Sequence, residues 1–557
     1  MARRESRAPY TDPKDVIAGL LAAYFTAGDD APERLHAELS RPGLSSIGRV
    51  EGAALFPLPD GVDPAPERLR RAGMWLVRNG TDRRAVLVGL LLLEATARRA
   101  DIPVLRMMGL LPDFTESVVR TIAGITGTTA DLVWLAERAG AERRGYVIRA
   151  LVDRADPMAR RWLLRNALSD FGPGGNEFAL RIAEVTRLAD ALVAVDRDDR
   201  LRDQAIGLML RMTRHDDYGT VIDRYRDARR VFALIAAETT WMAPTSERCA
   251  ELAAVVEELR TGASACLDWA RGEREEILER LLVVLRSPAW TRTLDEAERD
   301  AGSETSYSGW RARWARAVLA IGHDGTMAGA IGNPLRRFEI RITLPIPPRS
   351  GVFGGVETRV LIDGRPIIAD LFHQGAAEPP EKLLLRGELR ATEEPRRVRL
   401  AEAWCTEGCC GGLYVTIVRE GDEVVWRDWE RQSGAGLAEE FRFAAPEYDR
   451  EIARAEADHG WEWPARTLAR LVNAAVLEDP TILGRWNCSV DWIGAVLGEY
   501  DVARIWLLDD SGEYSDQFGY GLHAEVEDLE GQARSVIEAF RVAHPRKMLE
   551  YQRSRLE

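Results

Sequence analysis

A chain of 557 residues is too long for one compact core and calls for two to four domains, or a repeat array with a further domain. Its 46% hydrophobic and 29% charged content is that of an ordinary globular protein, and its most apolar run, AVLVGLLLLEA at 85–95, falls far short of the roughly 20 residues a bilayer span needs. The net charge of −14 is uneven: residues 1–400 carry 59 Lys and Arg against 58 Asp and Glu, whereas residues 401–557 carry 16 against 31, which disfavours nucleic acid and anionic membrane and favours a basic protein as the partner of the C-terminal part.

The start, MARRESRAPYTDPKD, is basic but leads into no long apolar segment, and Asp12 and Asp15 argue against a signal peptide. Six cysteines, three of them clustered, do not read as a disulfide framework. The expected location is a reducing cytoplasm. Residues 1–64 read as a helical or irregular segment.

From 65 to 321 the pattern is helical with hardly a break. APERLRRAGMWLVRNG (65–80) spaces Leu69, Met74, Leu76 and Val77 for one face and stops at Asn79-Gly80. TDRRAVLVGLLLLEATARRA (81–100) opens on Thr81 or Asp82 as N-cap, and its apolar run is wide enough to be buried on most sides. TTADLVWLAERAG (128–140), AERRGYVIRALVDRAD (141–156) and PMARRWLLRNAL (157–168) follow, with Pro157 suited to a first helical turn. After FGPGGN (171–176), helices are expected over 177–195, 199–214, 247–270, 272–287 and 306–321.

RGYVIRALVDRADPMARRWLLRNAL (144–168) resembles a HEAT-type helix pair: an apolar helix, the Asp156-Pro157 turn, then an arginine-rich helix. DRLRDQAIGLML (199–210) is similar to a second such unit. The resemblance covers about residues 65–240 and implies an α-solenoid. The alternative is an irregular all-helical domain.

GHDGTMAGAIGNPLRRFEI (322–340) marks a boundary, with a Gly-rich linker at 322–336. Period-two alternation then takes over in RFEIRITLPI (337–346). A hairpin is expected over 356–372, turning at Asp363-Gly364. Strands at 396–404, 412–419 and 423–429, the last two joined through Glu420-Gly421-Asp422, and at 439–443 complete an antiparallel β domain of five or six strands over 337–445. Residues 446–557 read as an acidic α+β segment packing on it, with helices at 446–460, 463–479, 490–500 and 529–544 and strands at 503–510 and 517–526. The C-terminal half resembles proteins of GC-rich bacteria, a likeness that carries no function with it. The fold class expected is therefore multidomain, an all-α solenoid followed by an α+β region with an antiparallel sheet.

The most suggestive chemistry is AEAWCTEGCCGG (401–412). Cys405, Cys409 and Cys410 offer a C-x₃-C half-site for zinc, to be completed by Cys488 or by His373, His459 or His523. They equally read as small hydrophobes beside Trp404 and Tyr414. HGWEWPAR (459–466) gathers His459, Trp461, Glu462 and Trp463, either to line a ligand cleft or to anchor a helix start with Pro464 in the first turn. Asp370 and His373 could make an acid/base pair, and LLDDSGEYSD (507–516) fails the calcium-loop register because its sixth position, counted from Asp509, is Tyr514, not glycine. Arg143, Arg144, Arg160, Arg161 and Arg165 could grip phosphates, but acids interleave with them. No phosphate-binding loop motif occurs. The reading adopted is a non-enzymatic interaction scaffold or regulator with an acidic recognition domain for a basic protein, needing no cofactor. One version is an immunity or antidote protein against a basic partner. The rivals are a thiol- or zinc-dependent enzyme built on Cys405, Cys409 and Cys410, and nucleic-acid binding by the solenoid arginines.

Overall fold

The computed structural model describes residues 13–27, 31–41, 62–167, 175–194, 198–215, 219–300, 306–321, 335–344, 355–403, 407–431, 440–512 and 515–548. The chain divides into two compact units, residues 1–171 and 172–557.

The first unit is helical: α1 (Pro13–Thr26), α2 (Pro32–Leu39), α3 (Pro66–Asn79), α4 (Arg83–Glu94), α5 (Ile102–Gly109), α6 (Thr115–Gly124), α7 (Thr129–Ala136), α8 (Ala141–Arg154) and α9 (Pro157–Asn166). The sequence sets the boundaries. Asp82 caps α4 by accepting the Arg84 and Ala85 amides, and Asp156 caps α9 in the same way ahead of Pro157. Thr81, the other candidate cap, bonds His36 instead. α4 is buried from Ala85 to Leu93 on almost every side. It approaches α3 so closely that a Cβ on Gly73 would lie 2.8 Å from the Gly89 carbonyl oxygen. Neighbouring helices alternate between two layers: α4 packs on α6 and α6 on α8, while α5 packs on α7 and α7 on α9.

The second unit opens with α10 (Gly175–Thr186), α11 (Leu188–Ala194), α12 (Asp199–Met212), α13 (Ala228–Glu238), α14 (Ser246–Thr261), α15 (Glu273–Leu285), α16 (Pro288–Asp300) and α17 (Tyr307–Ala320). The single helix expected at 177–195 is two, broken at Arg187, whose φ is +53°. The alternation recurs: α10 packs on α12, α12 on α14 and α14 on α17, while α11 packs on α13 and α13 on α15.

Strands follow: β1 (Phe338–Thr343), β2 (Glu357–Ile362), β3 (Arg365–Pro366), β4 (Gly375–Ala377), β5 (Arg396–Ala403), β6 (Gly412–Glu420), β7 (Glu423–Arg431) and β8 (Phe441–Ala444), with the short helices α18 (Ile367–Leu371) and α19 (Glu407–Cys410) between them. They form two antiparallel sheets, not the one expected, in the orders β1-β2-β3 and β4-β5-β6-β7-β8. The split arises because β3 holds only two residues before the chain turns helical at Ile367. Both hairpin turns are as expected. Asp363-Gly364 takes positive φ at both positions, and Gly421 takes it between the paired Glu420 and Glu423. Phe338, Trp426, Trp429, Phe443 and Tyr448 fill the core between the sheets and the next helix. There the buried Tyr448 hydroxyl donates to the Leu389 carbonyl at 2.6 Å.

The chain ends in α20 (Ala445–Ala457), α21 (Pro464–Glu478), α22 (Thr481–Gly484), β9 (Cys488–Ala495), β10 (Val502–Asp509), β11 (Asp516–His523) and α23 (Leu529–Val542). Residues 490–500, expected as a helix, are mostly strand β9. Ile493 and Ala495 are buried in a three-stranded antiparallel sheet of order β11-β10-β9, and pairing with β10 overrides the ambiguous apolar run.

Two of the contacts within this unit join its opening helices to the elements that follow. Arg359 of β2 is enclosed with Glu258 and Thr261 of α14, bonding Glu258 at 2.6 Å, its strand neighbour Glu357 at 2.8 Å and the Thr261 hydroxyl at 3.2 Å. Trp310 of α17 donates Nε1–H to the carbonyls of Trp461 (3.3 Å) and Glu462 (3.1 Å) and packs edge-on against Trp463. Among the described residues no helix is long and apolar enough to cross a membrane.

Candidate functional site

The segment HGWEWPAR both anchors a helix start and lines a cleft. Trp463 is buried against Trp310, and Pro464 opens α21. Trp461, His459 and Glu462 instead line a cleft of about 140 Å³. Ile342, Leu384 and Leu385 give it an apolar floor. Leu384 and Leu385 come from a single π turn, Glu381–Leu385, a rare geometry enriched at functional positions.

The polar groups of the cleft are held in place. Glu462, almost fully buried, accepts from Arg470 at 2.7 Å and from the Thr467 hydroxyl at 3.0 Å, with His459 Nδ1 3.5 Å away. Glu381 accepts from Arg466 at 2.5 Å; that guanidinium donates also to the Ala495 carbonyl and stacks over Trp461 and Trp463. Glu456 takes a bidentate pair from Arg390. Among the described residues lining the cleft there is no serine, threonine, cysteine or lysine. The arrangement can seat an apolar side chain between fixed charges. Glu381, Arg390 and Arg470 were missed in the sequence because they lie up to 89 residues apart and share no motif.

Of the three cysteines singled out, Cys405 lies outside the described residues. Cys409 is exposed on α19, and Cys410 packs partly against the sheet core, their sulfurs 3.7 Å apart. Of the three histidines weighed as zinc partners, two face carboxylates elsewhere and one is exposed. His459 faces Glu462, His523 pairs with Asp501 at 3.1 Å, and His373 is exposed. Asp370 pairs with Arg365, not with His373. Burial pushes the thiols of Cys249 and Cys266 up to about 12. Native protein treated with iodoacetamide at pH 8 is therefore expected to be alkylated at Cys409 and spared at Cys249 and Cys266. Peptide mass mapping would contradict this if Cys249 reacted first.

The structure brings together a different set: Cys488 of β9, its cross-strand partner Asp509 and His544 beyond α23. His544 Nε2 lies 3.8 Å from both Cys488 Sγ and Asp509 Oδ2, while Nδ1 accepts the Arg546 amide at 3.2 Å. The neutral ring thus carries its proton on Nε2, the nitrogen that faces both partners. It cannot relay a proton from thiol to carboxylate as a triad does, because a relay uses both nitrogens. Burial raises the Cys488 thiol pKa, and hydrogen bonds from Ser511, then Arg546, hold Asp509 down at about 2. Nothing in the sequence signalled this set while 490–500 read as helix, since only strand pairing aligns Cys488 with Asp509.

A groove between α6 and α8, lined by Arg120 and Arg154 among others, is also internally committed. Arg120 bonds Glu94 and Glu116, and Arg154 closes the end of α6 through the carbonyls of Ala123 and Ile125. No protein-family model, curated protein or solved structure matches the chain.

Proposed function

We propose that the protein is a non-enzymatic interaction protein, a scaffold or regulator that recognises a basic protein through residues 401–557. The observation that carries this reading is the excess of 31 acidic over 16 basic residues there, against near balance in the rest of the chain. Many of those acids face solvent, among them Asp501, Glu525, Glu527, Glu530 and Glu538. Such a surface speeds encounter with a positive partner and repels polyanions. The alternating helix layers within each unit support the HEAT-type stacking that the resemblance over about residues 65–240 implies, and stacked helix pairs are a common protein-binding scaffold. An immunity or antidote role against a basic protein is one form of this reading.

The test is a pull-down from lysate of the source organism with the full chain and with a variant carrying Asp501→Asn, Glu525→Gln, Glu527→Gln, Glu530→Gln and Glu538→Gln. Basic proteins retained by the native chain, released by rising salt and lost from the variant are expected. Retention of acidic proteins, or retention indifferent to both salt and variant, would refute the reading.

A further inference from the structure

Among the described residues, the sheet β9–β11 is covered on one side only. Ala503, Ile505 and Leu507 of β10 are fully buried, and α21 packs against β9 and β10. The alternate residues Arg504 and Trp506 stand on the opposite face, partly exposed. Trp506 pairs with Trp492 on β9 and with Gly519 on β11, so one row across the sheet reads tryptophan, tryptophan, glycine.

The glycines set the posture of the rings. A Cβ on Gly519 would lie 2.5 Å from the Trp506 indole, and one on Gly494 would lie 2.5 Å from the Trp492 indole. Each ring therefore lies over glycine backbone, and both tryptophans remain partly exposed. The polar groups beside them differ in charge balance. Arg504 is neutralised by Glu499 through two 2.6 Å bonds. Asp491, exposed next to Trp492 where β9 bulges, accepts only the Gln517 amide at 2.6 Å, and no cation pairs with it among the described residues. The row thus presents two partly exposed indoles and one uncompensated carboxylate.

We propose that Trp492, Trp506 and Asp491 form a guanidinium platform, on which an arginine side chain of the basic partner lies flat over the indoles while its charge meets Asp491. The inference rests on the basic-partner reading above and gives it an address. Arginine fits better than lysine because its guanidinium is planar, weakly hydrated and stacks on aromatic faces. The local carboxylate disfavours a nucleobase, whose phosphates it would repel.

The test is calorimetric titration of the full chain with hexa-arginine and with hexa-lysine at one moderate salt concentration. Hexa-arginine is expected to bind roughly two- to fivefold more tightly, as an exposed cation–π contact gives. Trp506→Ala removes that preference. So does Gly519→Ala, which keeps the tryptophan but lifts its ring, and which remains informative if the first variant fails to fold. Asp491→Asn weakens hexa-arginine further. Equal binding of the two peptides, unchanged in these variants, would overturn the platform and leave the basic-partner reading intact. Binding of neither peptide would overturn both. Binding of cellohexaose in place of the peptides would overturn the guanidinium assignment in favour of a neutral glycan.

Discussion

Arg359→Leu is expected to lower the unfolding free energy by about 3–5 kcal/mol, the range for breaking a buried ion pair on one side. The guanidinium is fully enclosed between Glu258 and Glu357. Its removal takes the donor from both Glu258 and Glu357 and the counter-charge from this buried acidic pair. Glu258 already has one oxygen, Oε2, with no hydrogen-bond partner. An added Cβ on Gly262 would collide with that oxygen, so the site has no room to relax. Denaturant titration of the native and variant chains measures the loss. A change below about 1 kcal/mol would show that the cluster is not closed. Replacing Arg359, Glu258 and Glu357 together by apolar residues should recover most of the stability, because the penalty lies in the orphaned charge and not in the missing pair.

The same cluster makes stability depend on pH. Burial, against the pull of Arg359, pushes the Glu258 carboxyl from 4.5 up to about 7. The folded state then holds a proton that the unfolded chain releases, so stability falls as pH rises from about 4.5 to about 7. Glu258→Gln removes that proton from the balance and is expected to flatten the slope in this window.

Trp310→Ala should rank beside Arg359→Leu, at about 3–5 kcal/mol, as large aromatic truncations in a core do. Trp310 is among the largest fully buried side chains and packs against Tyr307, Trp463 and Tyr500. Its Nε1–H also secures the backbone of Trp461 and Glu462, two residues that line the cleft. The variant is therefore expected to lose the cleft as well as stability. Trp310→Phe separates the two effects. It keeps most of the packing and leaves two carbonyls without their donor, for a loss of about 1–3 kcal/mol. Equilibrium unfolding of both variants would contradict this if phenylalanine were as damaging as alanine.

Local signals marked most elements correctly where the reason for the element was itself local. Asp82 and Asp156 were legible as caps because capping needs only a side-chain oxygen two or three residues away. The turns at Asp363-Gly364 and Gly421 were legible because positive φ selects glycine and its neighbours. Residues 490–500 were not. Their apolar spacing satisfies a helix and a strand alike, and the choice is made by β10, which lies later in the chain. The candidate sites divide the same way. Trp461 and Glu462 were visible as a local cluster, but Glu381 and Arg470, which complete the cleft, are joined to them only by folding. Cys488, Asp509 and His544 became neighbours only once the strand register was known.

The Glu258–Arg359 pair has a consequence for the chain as it is made. Arg359 follows Glu258 by 101 residues, so α14 is synthesised long before its counter-ion exists. At roughly 5–20 residues per second the wait is about 5–20 s, far longer than a helix takes to form. During that interval α14 has buried acids to place and no cation from β2 to receive them. The acids of α14 therefore reach their native surroundings only after β2 has been made.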